Sequence, residues 1–471
     1  MAHLLISAAR KSSGKTTITL GLCAALTKRG YTVQPFKKGP DYIDPMWLAE
    51  AAGRPCHNLD FYTMGTEEVR ETFARRKHGA DVALIEGNKG LYDGLDLDGS
   101  NSNAALATLL GAPVVLVIDA RGMTRGIAPL ILGYQAFDRN IRIAGIILSQ
   151  LGGSRHEGKL RAVIEHYTDV PVLGAVHHDP ALQIVERHLG LIPSNEADET
   201  VTRVKRIADA IAQQVDIEKI LMVAQSVTPI ETTAPIQPAR HPRPDVRIGI
   251  ARDAAFGFYY PGDLEAMQQA GAEFVPINTL GQSVLPHIDG LFIGGGFPEM
   301  HMATLERNVM LRNAIRDAIN AGMPAYAECG GLMYLARSLT WKDKTCQMAG
   351  AIPADVVMHD RPMGRGYVRL KETGKGPWSS LDRDGQPREL WAHEFHHSSL
   401  ENIGEGIEFA YRVLRGTGVD GEWDGIVYKN VLASYAHLRD VERDHWTARF
   451  VNYVRSQKRA WSDQLWATQL T

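Results

Sequence analysis

The chain has 471 residues, 44% apolar and 22% charged, with a formal net charge of −3. That length exceeds one ordinary core and predicts two or three domains, while near-balanced charge without a dense Lys/Arg run excludes a polyanion-binding surface and with it nucleic acid as a partner. Four cysteines without a Cys-x-x-Cys pair argue against a disulfide framework or a zinc ribbon, and no leader-like or membrane-length apolar run occurs, so a cytoplasmic protein without membrane contact is expected.

The predicted elements begin with an apolar run at 4–7, a small-residue loop, and Gly14-Lys15-Thr16 opening an amphipathic segment at 17–29 that stops at Gly30. Ala9 and Gly14-Lys15-Thr16 fit a Walker A pattern with Ala for the first Gly. Ser12, Ser13, Gly14, Lys15, Thr16 and Thr17 are therefore the expected nucleotide-binding residues. Backbone N–H groups and a helix N-terminus cradle phosphate there, Lys15 adds a point charge, and the Thr16 hydroxyl suits Mg²⁺. Further strand-like runs fall at 32–36, 82–86, 113–119, 143–149 and 172–176, with amphipathic stretches between them. Such alternation predicts a mostly parallel, doubly wound α/β sheet with ligands at the carboxyl ends of its strands.

Those strand ends carry acids. Lys37-Lys38-Gly39-Pro40-Asp41-Tyr42-Ile43-Asp44 leaves one strand, Glu86-Gly87 another, and Asn88-Lys89-Gly90-Leu91-Tyr92-Asp93 follows. Mg²⁺ takes a few protein oxygens and completes its shell with phosphate and water; Thr16, Asp44 and Glu86 could supply the former. Ser149-Gln150 ends a strand where such domains read a base, and His188 reads as a hydrogen-bonded core histidine.

A helical stretch at 196–225 and a Pro/Thr-rich linker at 228–244 lead to a second βα series. Strands are predicted at 246–251, 273–276, 290–293 and 324–328 and helices at 262–270 and 305–321. Later strands fall at 366–370, 390–395 and 431–435, and a helix at 443–470. Cys329 stands at the apex of a strand–turn–helix flanked by small residues, the arrangement of a nucleophile elbow. A helix N-terminus is expected to lower its pKa. The Gly330 N–H can face an oxyanion, with further donors from Gly294-Gly295-Gly296. His437, ending a late strand, suits the base. His393-Glu394-Phe395-His396-His397 matches HExxH, but its surroundings predict a strand, on which the two histidines lie too far apart to chelate zinc.

In this order the motifs resemble the cobyrinic acid a,c-diamide synthase family over nearly the whole chain. To the loops above they add Ala251-Arg252-Asp253-Ala254-Ala255-Phe256, Gly294-Gly295-Gly296-Phe297-Pro298-Glu299 and Ala327-Glu328-Cys329-Gly330-Gly331. The resemblance implies a dethiobiotin-synthetase-like P-loop NTPase domain at 1–195 and a helical segment and linker at 196–245. It further implies a class I-like glutamine amidotransferase α/β domain at 246–440 and a C-terminal helix at 441–471. It also implies a reaction in which Cys329 attacks L-glutamine with His437 as base and Gly295 and Gly330 holding the oxyanion. ATP with Mg²⁺ on Asp44 and Glu86 would then phosphorylate a tetrapyrrole carboxylate near Asp41, Ile43 and Asp93, and ammonia would displace the phosphate. A homodimer is left open.

The sequence departs from the family at Asn88-Lys89 (usually Val-Met), at the basic Lys37-Lys38, at Ser149 (commonly Asn) and at Arg439, where a class I triad would have Glu. The first two add cationic reach toward a polycarboxylate and raise sirohaem or a nickel precursor as an alternative acceptor. A partitioning-type nucleotide switch, a CTP-synthase-like amidotransferase and a zinc hydrolase are the other readings.

Overall fold

In the first half, apolar runs become strands buried on both faces, and the amphipathic stretches between them become the covering helices. The computed structural model describes residues 2–184, 186–187, 190–196, 200–227, 242–381 and 384–469. His188 and most of the Pro/Thr-rich linker lie outside them. The chain forms two units, Met1–Ile236 and Gln237–Thr471. Among the described residues no helix is long and apolar enough to cross a membrane.

The first unit runs β1 (Ala2–Ala8), α1 (Lys15–Lys28), β2 (Val33–Lys38), α2 (Ile43–Ala52), β3 (His57–Leu59), α3 (Thr66–Arg76), β4 (Val82–Glu86), α4 (Asn103–Leu110), β5 (Val114–Asp119), α5 (Ile127–Phe137), β6 (Ile143–Leu151), α6 (Ser154–Tyr167) and β7 (Val172–His177). Their sheet has the order β3-β2-β4-β1-β5-β6-β7 and every pairing is parallel. β1 is flanked by β4 and β5, so the loop after it opens at a topological switch point. Two short strands, β8 (Glu186–Arg187) and β9 (Gly190–Leu191), follow.

The helical stretch predicted at 196–225 is two helices, α7 (Thr200–Gln214) and α8 (Ile217–Gln225). Asp216 breaks it by capping α8, its Oδ1 accepting from Lys219 N at 3.1 Å. α7 lies on α1 where Gly21 removes a side chain; a Cβ there would run into Ile211 and come within 3.2 Å of Ile207 Cγ2. Ile207, Ile211, Ile220 and Ala224 are thereby buried in the first unit's core.

The second unit runs β10 (Val246–Ala251), β11 (Phe256–Phe258), α9 (Pro261–Gln269), β12 (Ala272–Ile277), β13 (Gly290–Ile293), β14 (Gly295–Gly296), α10 (Pro298–Arg307), α11 (Val309–Asn320), β15 (Ala325–Glu328), α12 (Gly330–Leu335), β16 (Ser338–Trp341), β17 (Lys344–Gln347), β18 (Asp355–Met358), β19 (Gly364–Glu372), β20 (Glu389–His396), β21 (Ser398–Glu401), β22 (Glu408–Arg415), β23 (Trp423–Tyr428), β24 (Val431–Ser434) and α13 (Trp446–Gln469). Its main sheet has the order β12-β10-β13-β15-β24-β23-β22-β19-β20. The first five strands are parallel and the rest antiparallel. α13 fills one face of it with Trp446, Phe450 and Val454, all fully buried. The helix predicted at 305–321 is broken at Asn308, whose side-chain amide donates to Thr279 O and Gln282 O instead of continuing a helical surface.

Candidate active sites

The loop after β1 turns through Ser12 (φ 60°) and Gly14 (φ 85°) into the first turn of α1. Only glycine takes the second conformation cheaply, and a Cβ there would sit 3.1 Å from Ser149 Oγ. That hydroxyl donates to Ser13 O at 2.8 Å. Ser149, expected at a base-reading position, is thus buried behind the phosphate loop and braces it. Asp119 at the end of β5 holds Arg10 and Arg121 at 2.7 Å, and the Arg121 hydrogen bonds bring its pKa down to about 2.

Lys15, at the start of α1, is buried; burial and the neighbouring Lys37 ammonium bring its pKa down to about 8. Thr16 Oγ1 lies 2.8 Å from Glu86 Oε1 and 3.3 Å from Asp44 Oδ2, so the three expected metal ligands converge. Glu86 Oε2 is buried with no hydrogen-bond partner among the described residues, an orphaned acceptor aimed into the cluster. The donor set, two carboxylates and a hydroxyl, fits a hard divalent cation that keeps waters and phosphate oxygens. Among the described residues no group of three or more His, Cys, Asp or Glu offers an all-protein cage.

Lys37 corrects one expectation. Its ammonium points into this cluster, 2.7 Å from Glu86 Oε1, closer still to Asp44 and 3.7 Å from Asp41. Burial alone would lower its pKa, but Asp44, Glu86 and Asp41 outweigh burial and hold it well above the usual lysine value. The same ammonium overcomes burial at Asp44, whose pKa is lowered, whereas burial raises Glu86. Lys37 is therefore an internal counterion with no outward reach.

Asp41 caps α2, its Oδ1 accepting from Ile43 N at 2.9 Å and Asp44 N at 3.3 Å. Burial and the Asp44 carboxylate push its pKa to about 7. Asp93 Oδ2 accepts from Gly90 N at 2.8 Å and so folds its own loop. Asn103 clamps that loop further, donating to Gly90 O at 2.9 Å and accepting from Asn88 N at 3.1 Å.

In the second unit β15 enters a sharp turn. Cys329 is held at φ 46°, ψ −101°, a strained non-glycine backbone of the kind found at functional elbows. Its N–H donates to Ser434 O on the neighbouring β24 at 2.7 Å. A Cβ on Gly330 would lie 2.9 Å from Gly296 O, and one on Gly331 would collide with Ile293 O, so the elbow closes only with glycines. Gly295 is equally confined; a Cβ there would be 2.7 Å from His437 Cε1. Cys329, Gly330, Gly295 and His437 are thus brought to one place. The expected lowering of the thiol pKa does not occur. Burial and the Glu299 carboxylate raise it, against a weaker contribution from the Gly330 N–H, and α12 is only six residues long. The resting thiol needs a base.

His437 is the expected base, and its ring is held by a residue the sequence analysis passed over. Glu328 Oε2 lies 3.3 Å from His437 Nδ1, while Glu328 Oε1 accepts from Leu438 N at 2.9 Å and Tyr326 OH at 2.8 Å. The acid beside His437 immediately precedes Cys329 in the chain, and Arg439 lies over the Tyr260 ring. An acid as the last residue of the strand entering the elbow was the available signal. The His393 ring stacks on His437 at 4.9 Å. β20, which carries His393, is a strand as predicted, so HExxH makes no helical zinc site.

A nucleotide-binding domain joined to a glutamine amidotransferase domain defines a glutamine-dependent, amide-forming ligase, and sequence comparison finds both parts. Residues 5–192 match the family described as the CobQ/CobB/MinD/ParA nucleotide binding domain. Residues 247–443 match the CobB/CobQ-like glutamine amidotransferase domain. The chain is 46% identical over 461 residues to cobyrinate a,c-diamide synthase of Magnetococcus marinus, covering 97% of each. It is 44% identical to that of Methanosarcina acetivorans (93% of this chain, 92% of the relative) and 39% identical to that of Archaeoglobus fulgidus (97% and 98%). The chain belongs to the cobyrinate a,c-diamide synthase family. An amidotransferase domain matched over residues 247–443 removes the partitioning-type switch as a reading.

Proposed function

We propose that this enzyme amidates peripheral carboxylates, the a and c acetate side chains, of cobyrinate, with ATP and L-glutamine as co-substrates. The observation that carries the reading is the pairing, within one chain 46% identical to a cobyrinate a,c-diamide synthase, of the Thr16–Asp44–Glu86 cluster and the Cys329–His437–Glu328 elbow. The names borne by the relatives favour cobyrinate over sirohaem.

At the elbow His437 takes the thiol proton and the sulfur attacks the glutamine carboxamide. The backbone N–H groups of Gly330 and Gly295 receive the oxyanion. His437 returns the proton to the departing ammonia, and water releases glutamate from the thioester. Glu328 keeps the imidazole oriented and stabilises its charged form.

In the first unit Ser12, Ser13, Gly14, Lys15, Thr16 and Thr17 cradle the ATP phosphates. Thr16, Asp44 and Glu86 would hold Mg²⁺, which when bound screens the phosphate charge. The acceptor carboxylate, placed near Asp41, Ile43 and Asp93, attacks the terminal phosphorus and ADP leaves. A carboxylate is a poor electrophile and an acyl phosphate a good one; ammonia then forms the amide and phosphate departs. We also infer a cytoplasmic setting, from four unbridged thiols. A homodimer is compatible with this reading.

The test is conversion of cobyrinate by the purified protein with ATP-Mg²⁺ and amide-¹⁵N glutamine, read by mass spectrometry. Two labelled amides per acceptor are expected. Amidation of sirohaem with cobyrinate left intact would overturn the acceptor assignment.

A further inference from the structure

Lys37 and Lys38 are consecutive residues at the end of β2, so their side chains leave opposite faces of the sheet. Lys37 is consumed by the acidic cluster. Lys38 is not. The residue is 5% exposed, yet its ammonium makes one long hydrogen bond, to Asn88 Oδ1 at 3.4 Å, and no ion pair among the described residues. An ammonium has three donors, and a buried one whose neighbouring carboxylate, Asp60, stays outside ion-pair distance is expensive. Burial duly lowers the Lys38 pKa to about 8, against the pull of Asp60.

The route outward from Lys38 is also cationic. Asn88 is half-buried and Lys89 beside it is exposed, held at φ 36°, a conformation non-glycine residues rarely adopt. Asn103 fixes this loop from below through the backbone of Asn88 and Gly90. A buried, under-satisfied ammonium, the carboxamide it donates to and a strained exposed lysine therefore form one cluster at the end of β2. It adjoins the loop that carries Asp93, on the face of β2 away from the phosphate cluster.

We propose that Lys38, Asn88 and Lys89 form an anion subsite that receives a carboxylate of the acceptor other than the one being amidated. The inference rests on the acceptor being a polycarboxylate, as in the proposed function. Such a subsite would fix which peripheral side chain reaches the phosphate cluster, because anchoring one carboxylate restricts how the others can be presented. Its ligand chemistry is that of a carboxylate accepting charge-assisted hydrogen bonds from Lys38 and Lys89 and one from the Asn88 amide.

The test compares the full-length wild type with Lys38→Met, which keeps the length of the side chain, and Lys89→Ala, at an exposed position that folding tolerates. Lys38→Met should raise the KM for cobyrinate about tenfold and Lys89→Ala about threefold, with the KM for ATP unchanged. Calorimetric cobyrinate affinity should fall in parallel. Unchanged acceptor affinity in both variants, or a rise in the KM for ATP instead, overturns the subsite. If wild type neither binds nor amidates cobyrinate, the acceptor reading fails, and the subsite is judged with tricarballylate. Saturable tricarballylate binding that Lys38→Met abolishes upholds it; binding that is absent or equal in the two proteins overturns it.

Discussion

Glu328 touches no reacting atom in the proposed chemistry, yet it decides which nitrogen of His437 carries the proton. A carboxylate at Nδ1 leaves Nε2 to act as base and favours the imidazolium once formed. Glu328→Gln keeps an oxygen for Leu438 N but loses that charge. Glutamate release should fall roughly 10²- to 10⁴-fold, while amidation from added ammonium salt stays within twofold. Separate assays of the two nitrogen sources check this, and equal losses from both would reject the positioning role. Lys15 allows a pH prediction. With its pKa near 8 in the nucleotide-empty protein, it is about half protonated at pH 8 and nearly fully protonated at pH 6. Phosphate oxygens favour the charged form, so ATP binding should take up about half a proton at pH 8 and almost none at pH 6. Calorimetry in buffers of differing ionisation enthalpy measures the difference; equal uptake at both pH values would contradict it. The same depressed pKa bears on stability. The folded value lies below the unfolded 10.5, so the buried charge destabilises fully below about pH 8. That cost is relieved as pH rises from about 8 to 10.5.

At the scale of elements, the elbow between β15 and α12 depends on backbone approaching backbone, which no side chain can relieve by moving. Gly331→Ala should therefore destabilise by about 1–3 kcal/mol and remove glutaminase activity, since the added Cβ meets Ile293 O. Gly133, inside α5 with open space around it, makes the contrast. Gly133→Ala should stabilise by roughly 0.5–1 kcal/mol. Thermal melts of the two variants moving in opposite directions check both. Elements whose signal is local were legible in the sequence: the strand and helix around the phosphate loop, the parallel strands of both units apart from the three-residue β3, and the elbow itself. Helix breaks at Asp216 and Asn308 were not, because each is set by contacts outside its own periodicity. β16 to β18 and β21 to β23 were missed too; the four-residue β16, β17, β18 and β21 are too short to show a period, and Arg412 in β22 and Asp424-Gly425 in β23 interrupt their apolar runs. In the sites the residue types were readable, but partnerships were not. Lys37 with Glu86 spans 49 residues and Glu328 with His437 spans 109, and nothing in spacing foretells either.

For the whole molecule, the two reaction centres share only a small uncharged nucleophile. Ammonia is a product of one and a reactant of the other, so supplying it from solution should bypass the first centre and never the second. Cys329→Ala should lower glutamine-dependent amidation at least about 10³-fold and spare the ammonium-dependent reaction. That spared rate should climb with pH at fixed total ammonium, because only the unprotonated fraction attacks the acyl phosphate. Lys15→Ala should abolish amide formation from either nitrogen source, since it removes charge the phosphoryl-transfer transition state needs, while leaving glutamate release measurable. The crossed pattern is diagnostic because a variant that merely unfolds loses both reactions. Retained glutamine use in Cys329→Ala would dismiss Cys329 as the nucleophile. Product formation by Lys15→Ala with ammonium would dismiss phosphorylation as the activating step.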